Sequence, residues 1–239
     1  MTSQMAPLRI LSAGAAKGVV QALAGPFETA SGARIEATFD SAGAISNAVT
    51  GGAGCDLVIL PAAMLDTLAA QALVDGESIA ALGRVPTGIA IAAGDPPPDV
   101  HDAEALKAAL TAASALYCPD TLRSTAGIHF TGVLRTLGLY DESQAKLRTY
   151  ANGAQAMAAL AQAGPQRAVG CTQITEILYT PGVVLVAALP APFELATIYG
   201  VAVAANSGVS RTARAFAARL TAASTQPLRR AGGFLDRTT

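Results

Sequence analysis

The sequence predicts an α/β chain folded as two lobes, with a ligand cleft between them. Three observations carry this. Apolar strand-like runs alternate with helix-like segments, the pattern of a largely parallel sheet covered by helices. The rhythm breaks at residues 85–98, around Gly94-Asp95-Pro96-Pro97-Pro98, and then restarts. A long apolar run at 198–204 lies far from that break, so the chain is expected to cross between lobes twice. The expected lobes are 1–86 with 199–239, and 87–198. At 239 residues the chain has material for a core in each.

The elements follow in order. Leu8-Arg9-Ile10-Leu11 is a short buried strand. It runs into Ser12-Ala13-Gly14-Ala15-Ala16-Lys17-Gly18, a turn of very small residues, and then a helix led by Val19, Val20, Leu23 and Phe27. Pro26 predicts a kink or break in that helix. A strand at 35–39 leads through Asp40-Ser41-Ala42-Gly43 to a short helix around Ile45 and Val49, ended by Gly51-Gly52. The strand at 57–60 is capped by Pro61, and 62–73 carries Met64, Leu65, Leu68 and Leu73 at helical spacing. Residues 87–92 form a further strand. Beyond the prolines come a helix at 103–112, a strand at 115–117, a loop from Pro119 to Arg123, and helices at 125–137 and 154–163. Short strands at 167–169 and 183–186 enclose a segment that starts at Cys171-Thr172-Gln173. A strand at 199–204 and an alanine-rich helix at 210–222 complete the chain.

Composition excludes several function classes. Sixteen basic residues against seventeen acidic give a net charge of −1, so there is no basic field for nucleic acid. With no Trp, five Tyr and six Phe, stacking platforms for bases are scarce. No apolar run reaches the ~18 residues of a membrane-spanning helix, so no membrane insertion is expected. The first residues lack the basic and apolar regions of a signal peptide, which as written predicts a cytoplasmic protein, or a periplasmic one whose leader has been removed. Cys55, Cys118 and Cys171 are odd in number and widely spaced, and read as free thiols or small buried hydrophobes. No metal site and no cofactor are expected.

Four segments share one design: a strand or loop, small hydroxyl or glycine residues, then a helix start. They are Ser12 to Gly18, Ser41 to Gly43, Ser124-Thr125-Ala126-Gly127, and Thr172-Gln173. A helix start presents unpaired N–H groups and partial positive charge, and small side chains let an anion approach them. The chain has thirteen arginines and three lysines, and Lys17 stands in a first helical turn, where the dipole disfavours a cation. A ligand that compensates it is one reading; a lysine snorkelling into solvent is the other. Arg123 offers a planar fork for a carboxylate, or is an ordinary loop arginine. His129, Gln173 and Glu176 are polar residues among apolar neighbours. There is no GxGxxG and no GxxxxGK[ST], so nucleotide binding is not indicated.

On the segments Leu11-Ser12-Ala13-Gly14-Ala15, Phe39-Asp40-Ser41-Ala42-Gly43, Asp56-Leu57-Val58-Ile59, Ser124-Thr125-Ala126-Gly127-Ile128 and Tyr199-Gly200-Val201-Ala202-Val203, the chain resembles the periplasmic molybdate-binding proteins, with their type II periplasmic-binding-protein fold. In that family, molybdate is held by a serine in each of the first two turns, by backbone amides of the second lobe, and by a tyrosine. The matching positions here are Ala15, Ala42 and Cys171. The resemblance therefore implies that three hydroxyl donors are gone. A buried oxyanion deprived of donors costs several kcal/mol, so molybdate is not the expected ligand. Ala15-Ala16-Lys17-Gly18-Val19-Val20 and Gly170-Cys171-Thr172-Gln173-Ile174-Thr175-Glu176-Ile177 are similar to a divergent branch that includes aconitate-isomerase-like proteins.

Two functions follow as expectations. The first is binding of a small organic di- or tricarboxylate by Gly14, Ala15, Ala16, Lys17, Ser41, Ala42, Arg123, Ser124, Thr125, Ala126, Thr172 and Gln173. The second is an isomerase that shifts a proton within an unsaturated tricarboxylate, with Lys17 or His129 as base and Glu176 returning the proton. The expected partner is the small anion, joined by an ABC-type permease if a leader has been removed.

Overall fold

The computed structural model describes residues 6–236. In chain order the first elements are β1 (Leu8–Ala13), α1 (Lys17–Ser31), β2 (Ile35–Asp40), α2 (Ala42–Thr50), β3 (Leu57–Pro61), α3 (Ala62–Ala70) and β4 (Ala80–Ala92). Then come α4 (Ala103–Ala112), β5 (Leu116–Pro119), α5 (Thr125–Thr136), α6 (Tyr140–Ser143), β6 (Leu147–Tyr150), α7 (Gly153–Ala163), β7 (Val169–Gln173) and α8 (Ile174–Leu178). The last are β8 (Val183–Ala188), β9 (Ala196–Val203), α9 (Ser210–Thr221) and α10 (Gln226–Ala231). The chain forms two units, one built from the residues up to Arg84 and from Ile198 onward, the other from Val85–Thr197.

In the first unit the strand order is β2-β1-β3-β9, with β1 parallel to both neighbours and β9 antiparallel to β3. All five residues of β3 are buried, as expected of a central strand covered on both faces. Helix α1 buries Val19, Val20, Leu23 and Phe27 along one stripe, and Phe27 meets Phe216 of α9 edge to face at 4.9 Å between ring centroids. α1 runs unbroken through Pro26, contrary to the expected break. Pro26 and Ala22 both lie on the exposed side, so solvent can take the Ala22 carbonyl that the proline cannot satisfy.

In the second unit the order is β8-β4-β7-β5-β6. β5 runs parallel to β6 and β7, while β4 is antiparallel to β7 and β8. Successive residues of a strand point to opposite faces. Ile89 and Cys171 accordingly join the core under α4 and α5, with Leu106, Leu110, Phe130 and Leu134. Ala90 faces the other way, into a core with Met157 and Leu160 of α7 and Ile177 of α8. Gly170 lets α7 approach β7, because a Cβ there would stand 2.6 Å from Met157 Cε.

The sheets are mixed rather than largely parallel, because β4 and β9, the strands that carry the chain from one unit to the other, both run antiparallel to a neighbour. β7 starts at Val169, later than expected, and includes Cys171, Thr172 and Gln173. Arg167 is left-handed at φ 57° and belongs to the preceding loop, where the Asp95 carboxylate accepts its N–H at 3.0 Å. β4 begins well before the expected strand; Gly83 (φ 144°) and Pro86 obscure its first half in the sequence. The segments β6, α6 and α10 were not expected at all. Among the described residues the three cysteines are free thiols, and burial pushes Cys118 up to about 12.

Candidate functional site

In the first unit, β1 and β2 pair in parallel with Ala13 opposite Asp40, so the turns that follow them emerge side by side at one edge of the sheet. This is where open α/β sheets take their ligands. The first turn is a 3-10 turn of Gly14, Ala15 and Ala16, all buried. Lys17, half-buried, then opens α1, whose first turn has neither a side-chain cap nor an acidic residue. The Ser12 hydroxyl does not reach into this turn; it is buried and donates to the Ala13 carbonyl at 2.9 Å. Ser41 is the N-cap of α2, its Oγ accepting from Ala44 N at 3.4 Å while its own N–H donates to Asp40 Oδ1 at 2.7 Å. Ala42 beside it is buried.

In the second unit, β5 and β7 are parallel neighbours, so the segments after them also emerge at one edge. After β5, Asp120 organises the loop. Its carboxylate accepts the N–H groups of Leu122 and Arg123 at 2.8 and 2.9 Å, and Arg123 Nε and Nη2 at 3.0 and 2.8 Å. The Leu122 N–H and the Arg123 contacts hold the Asp120 carboxyl below its usual range against the opposing effect of burial. The Arg123 fork is thus already engaged within its own loop. Ser124 is a buried N-cap whose side chain makes no cap bond, with Thr125 half-buried and Ala126 buried behind it. Gly127 lets the helix rest on the loop, since a Cβ there would lie 2.3 Å from the Asp120 carbonyl oxygen. His129 sits apart from this edge, one turn into α5, with Nε2 donating to the Phe193 carbonyl at 2.8 Å.

The end of β7 carries two clusters on opposite faces of the sheet. On the α7 face, the Thr172 hydroxyl donates to Glu176 Oε2 at 2.5 Å, and the carboxyl also accepts the N–H groups of Gln173 and Ala154. Glu176 is fully enclosed, and burial pushes its carboxyl up to about 7 in spite of those donors. Gly153 makes the enclosure possible: a Cβ there would lie 1.9 Å from Glu176 Oε2 and 2.2 Å from Thr172 Oγ1. On the other face, Gln173 stands opposite Thr87 of β4, and its Nε2 donates to Thr197 Oγ1 at 3.4 Å.

The sequence-predicted residues therefore gather at one edge in each unit: Gly14 to Lys17 with Ser41 and Ala42, and Ser124 to Ala126 with Thr172, Gln173 and Glu176. The sequence reading passed over Asn152-Gly153 and Thr87. Asn152 caps α7, its Oδ1 accepting from Gln155 N at 3.0 Å. An Asn-Gly pair before an alanine-rich helix is a legible N-cap signal. Nothing local marks Thr87, which joins the site only through strand register. Among the described residues no group of three or more His, Cys, Asp or Glu could hold a metal ion, and no helix is long and apolar enough to cross a membrane.

Comparison with known proteins is consistent across the chain. The family model described as bacterial extracellular solute-binding protein matches residues 8–235. An aconitate isomerase from a Pseudomonas species is 27% identical over 214 residues, covering 87% of this chain and 79% of that protein. Among solved structures, the periplasmic molybdate-binding protein of Azotobacter vinelandii superposes with a TM-score of 0.77 at 16% identity, covering 95% of this chain and 98% of that one. The sulfate-binding protein SubI of Mycobacterium tuberculosis H37Rv gives 0.74 at 17% identity, covering 98% and 88%. At such identities these two structures speak for the fold alone: an α/β chain of the two-lobed periplasmic-binding type.

Proposed function

The chain belongs to the bacterial extracellular solute-binding proteins, and from that premise we propose that its solute is a small organic di- or tricarboxylate. The observation that carries this reading is the chemistry of the paired turns after β1 and β2. Buried Ala15 and Ala42 stand where the resemblance to molybdate-binding proteins calls for hydroxyl donors. The Ser12 hydroxyl is spent on the Ala13 carbonyl, while Ser41 Oγ accepts from Ala44 N and keeps its proton to donate. The donors at this edge are backbone N–H groups of two helix starts and the Ser41 hydroxyl, with the ammonium of Lys17 beside them. Backbone donors at helix starts take carboxylates and tetrahedral oxyanions alike, so the loss of the hydroxyls that the resemblance assigns to molybdate, together with the added cation, is what supports a carboxylate. Ser124, Thr125 and Ala126 supply a comparable helix start in the second unit. The family's extracellular character supports a periplasmic location and an ABC-type permease as partner.

A thermal-shift and calorimetric screen with tricarballylate, citrate, aconitate, molybdate and sulfate tests the reading. The expected result is stabilisation by the carboxylates. Stabilisation by molybdate or sulfate alone overturns it.

A second reading, an isomerase of an unsaturated tricarboxylate, is favoured by two observations. One is the relative named aconitate isomerase. The other is a buried carboxyl, Glu176, raised to about 7, where a group can both give and take a proton near neutrality. In this reading Lys17 is the base, His129 being held against the Phe193 carbonyl: it removes a proton next to a carboxylate, the double bond moves along three carbons, and Glu176 returns a proton to the far carbon. Interconversion of cis- and trans-aconitate followed by NMR tests it; tight binding without turnover rejects it for that substrate.

A further inference from the structure

Five buried side-chain polar atoms among the described residues have no hydrogen-bond partner, and three of them lie around the end of β7: Thr87 Oγ1, Gln173 Oε1 and Thr175 Oγ1. Their residues are at most 3% exposed. An orphaned polar atom in a protein interior costs about 1–3 kcal/mol, so the two that face each other across strand register, Thr87 Oγ1 and Gln173 Oε1, call for a cause.

Thr87 and Gln173 are direct partners in the antiparallel β4–β7 register, so their side chains share one face of the sheet. Thr197, the last residue of the second unit, takes the Gln173 amide at 3.4 Å, at the long limit for such a bond. The Thr87 main chain is fully used, its N–H donating to the Leu195 carbonyl at 2.8 Å and its carbonyl accepting Leu189 N–H at 3.0 Å. The hydroxyl is thus held in place by a fixed backbone. Thr87 follows the point where β4 enters the unit by two residues, which puts the cluster at the unit's margin, where the chain enters and leaves. All three side chains are uncharged. The ionisable Glu176 belongs to the opposite face, with Thr172.

We propose that Thr87, Gln173 and Thr197 form a neutral subsite for a hydroxyl group of the ligand, so that hydroxy acids are the preferred class of carboxylate. This rests on the carboxylate reading above. A hydroxyl both donates and accepts: it can donate to Gln173 Oε1 while accepting from the Thr87 hydroxyl. With the amide turned over, it accepts from Gln173 Nε2 and donates to Thr87 instead. A carboxylate oxygen can take both donors with the amide turned over, but it brings a charge into an enclosure of uncharged groups, which costs more than enclosing a hydroxyl. The subsite therefore favours a hydroxyl over bare carbon, which leaves its polar atoms unpaired, and over a carboxylate, whose charge it does not compensate.

Calorimetry on the whole protein with two matched pairs, citrate against tricarballylate and malate against succinate, tests the subsite, because each pair differs by one hydroxyl. The expected result is roughly tenfold or tighter binding of a hydroxylated member. Thr87→Val and Gln173→Leu should each bring that ratio close to one by weakening binding of the hydroxylated acid, and Thr87→Ser should preserve it. Equal affinity of wild-type protein for both members of a pair that binds overturns the subsite and leaves the carboxylate reading intact. Binding of none of the four acids overturns both. A ratio retained in Thr87→Val and Gln173→Leu also overturns the subsite, and the wild-type comparison holds even if a variant fails to fold.

Discussion

Lys17, in the first turn of α1, and Glu176, buried beside Thr172, each make a prediction at the level of one side chain. A cation in the first turn of a helix opposes the macrodipole by roughly 0.3–1 kcal/mol, a cost that carboxylate binding would offset. Lys17→Met is expected to weaken tricarballylate binding about 10- to 100-fold, the effect of losing a charge-assisted hydrogen bond worth roughly 1.5–3 kcal/mol; calorimetry reads it. An unchanged affinity removes Lys17 from the site. Glu176 acts through pH. Its carboxyl is raised in the folded protein from an ordinary value near 4.5 to about 7. The folded state therefore keeps its proton between those values while the unfolded chain loses it. The stabilisation is complete below about pH 4.5, declines as pH rises to about 7, and is constant above that. The change amounts to about 3 kcal/mol. Glu176→Gln should flatten this part of the stability–pH curve in denaturant titrations; an unaltered slope refutes the assignment.

Helix α5 carries a paired test of what its glycines do. Gly127 is pressed against the Pro119 and Asp120 carbonyl oxygens, whereas Gly132 is exposed with nothing near its missing Cβ. Gly127→Ala should destabilise by about 1–3 kcal/mol or displace the loop, while Gly132→Ala should stabilise by up to about 1 kcal/mol. Chemical unfolding of the two variants separates them, and equal effects would show that the loop does not set the helix position. The helix starts after β1, β2 and β5 were legible in the sequence because a run of small residues between an apolar strand and an amphipathic stripe has few other uses. Helix α4 was legible for a related reason: Asp102 caps it and Leu106 and Leu110 mark its buried side. β7 was misplaced because the left-handed Arg167 carries no sequence signature of its turn. The Thr172–Glu176 pair depends on where α7 begins, and the Thr87–Gln173 pair depends on register between strands distant in sequence. Neither can be read from local pattern, since both are properties of the assembled sheet.

At the scale of the whole molecule, each unit packs its own interior, with Phe216 against Phe27 in the first and Phe130 in one of the two cores of the second. Phe216→Ala and Phe130→Ala should each cost about 3–5 kcal/mol. Native-state hydrogen exchange should show the loss mainly in β1 and β3 for the first and in β5 and β7 for the second. Uniform acceleration across both units in either variant would mean that they unfold as one body. The division also sets an order of assembly during synthesis. Residues 85–197 emerge from the ribosome as one contiguous piece and can close their core at once. The first unit cannot: β3 stays bare along one edge until β9 is made, and Phe27 waits for Phe216. An open strand edge is a template for pairing with other chains, so the earliest part of the chain to be synthesised is the last to be protected. Nascent chains stopped short of β9 would carry a finished second unit behind a sticky, half-built first one.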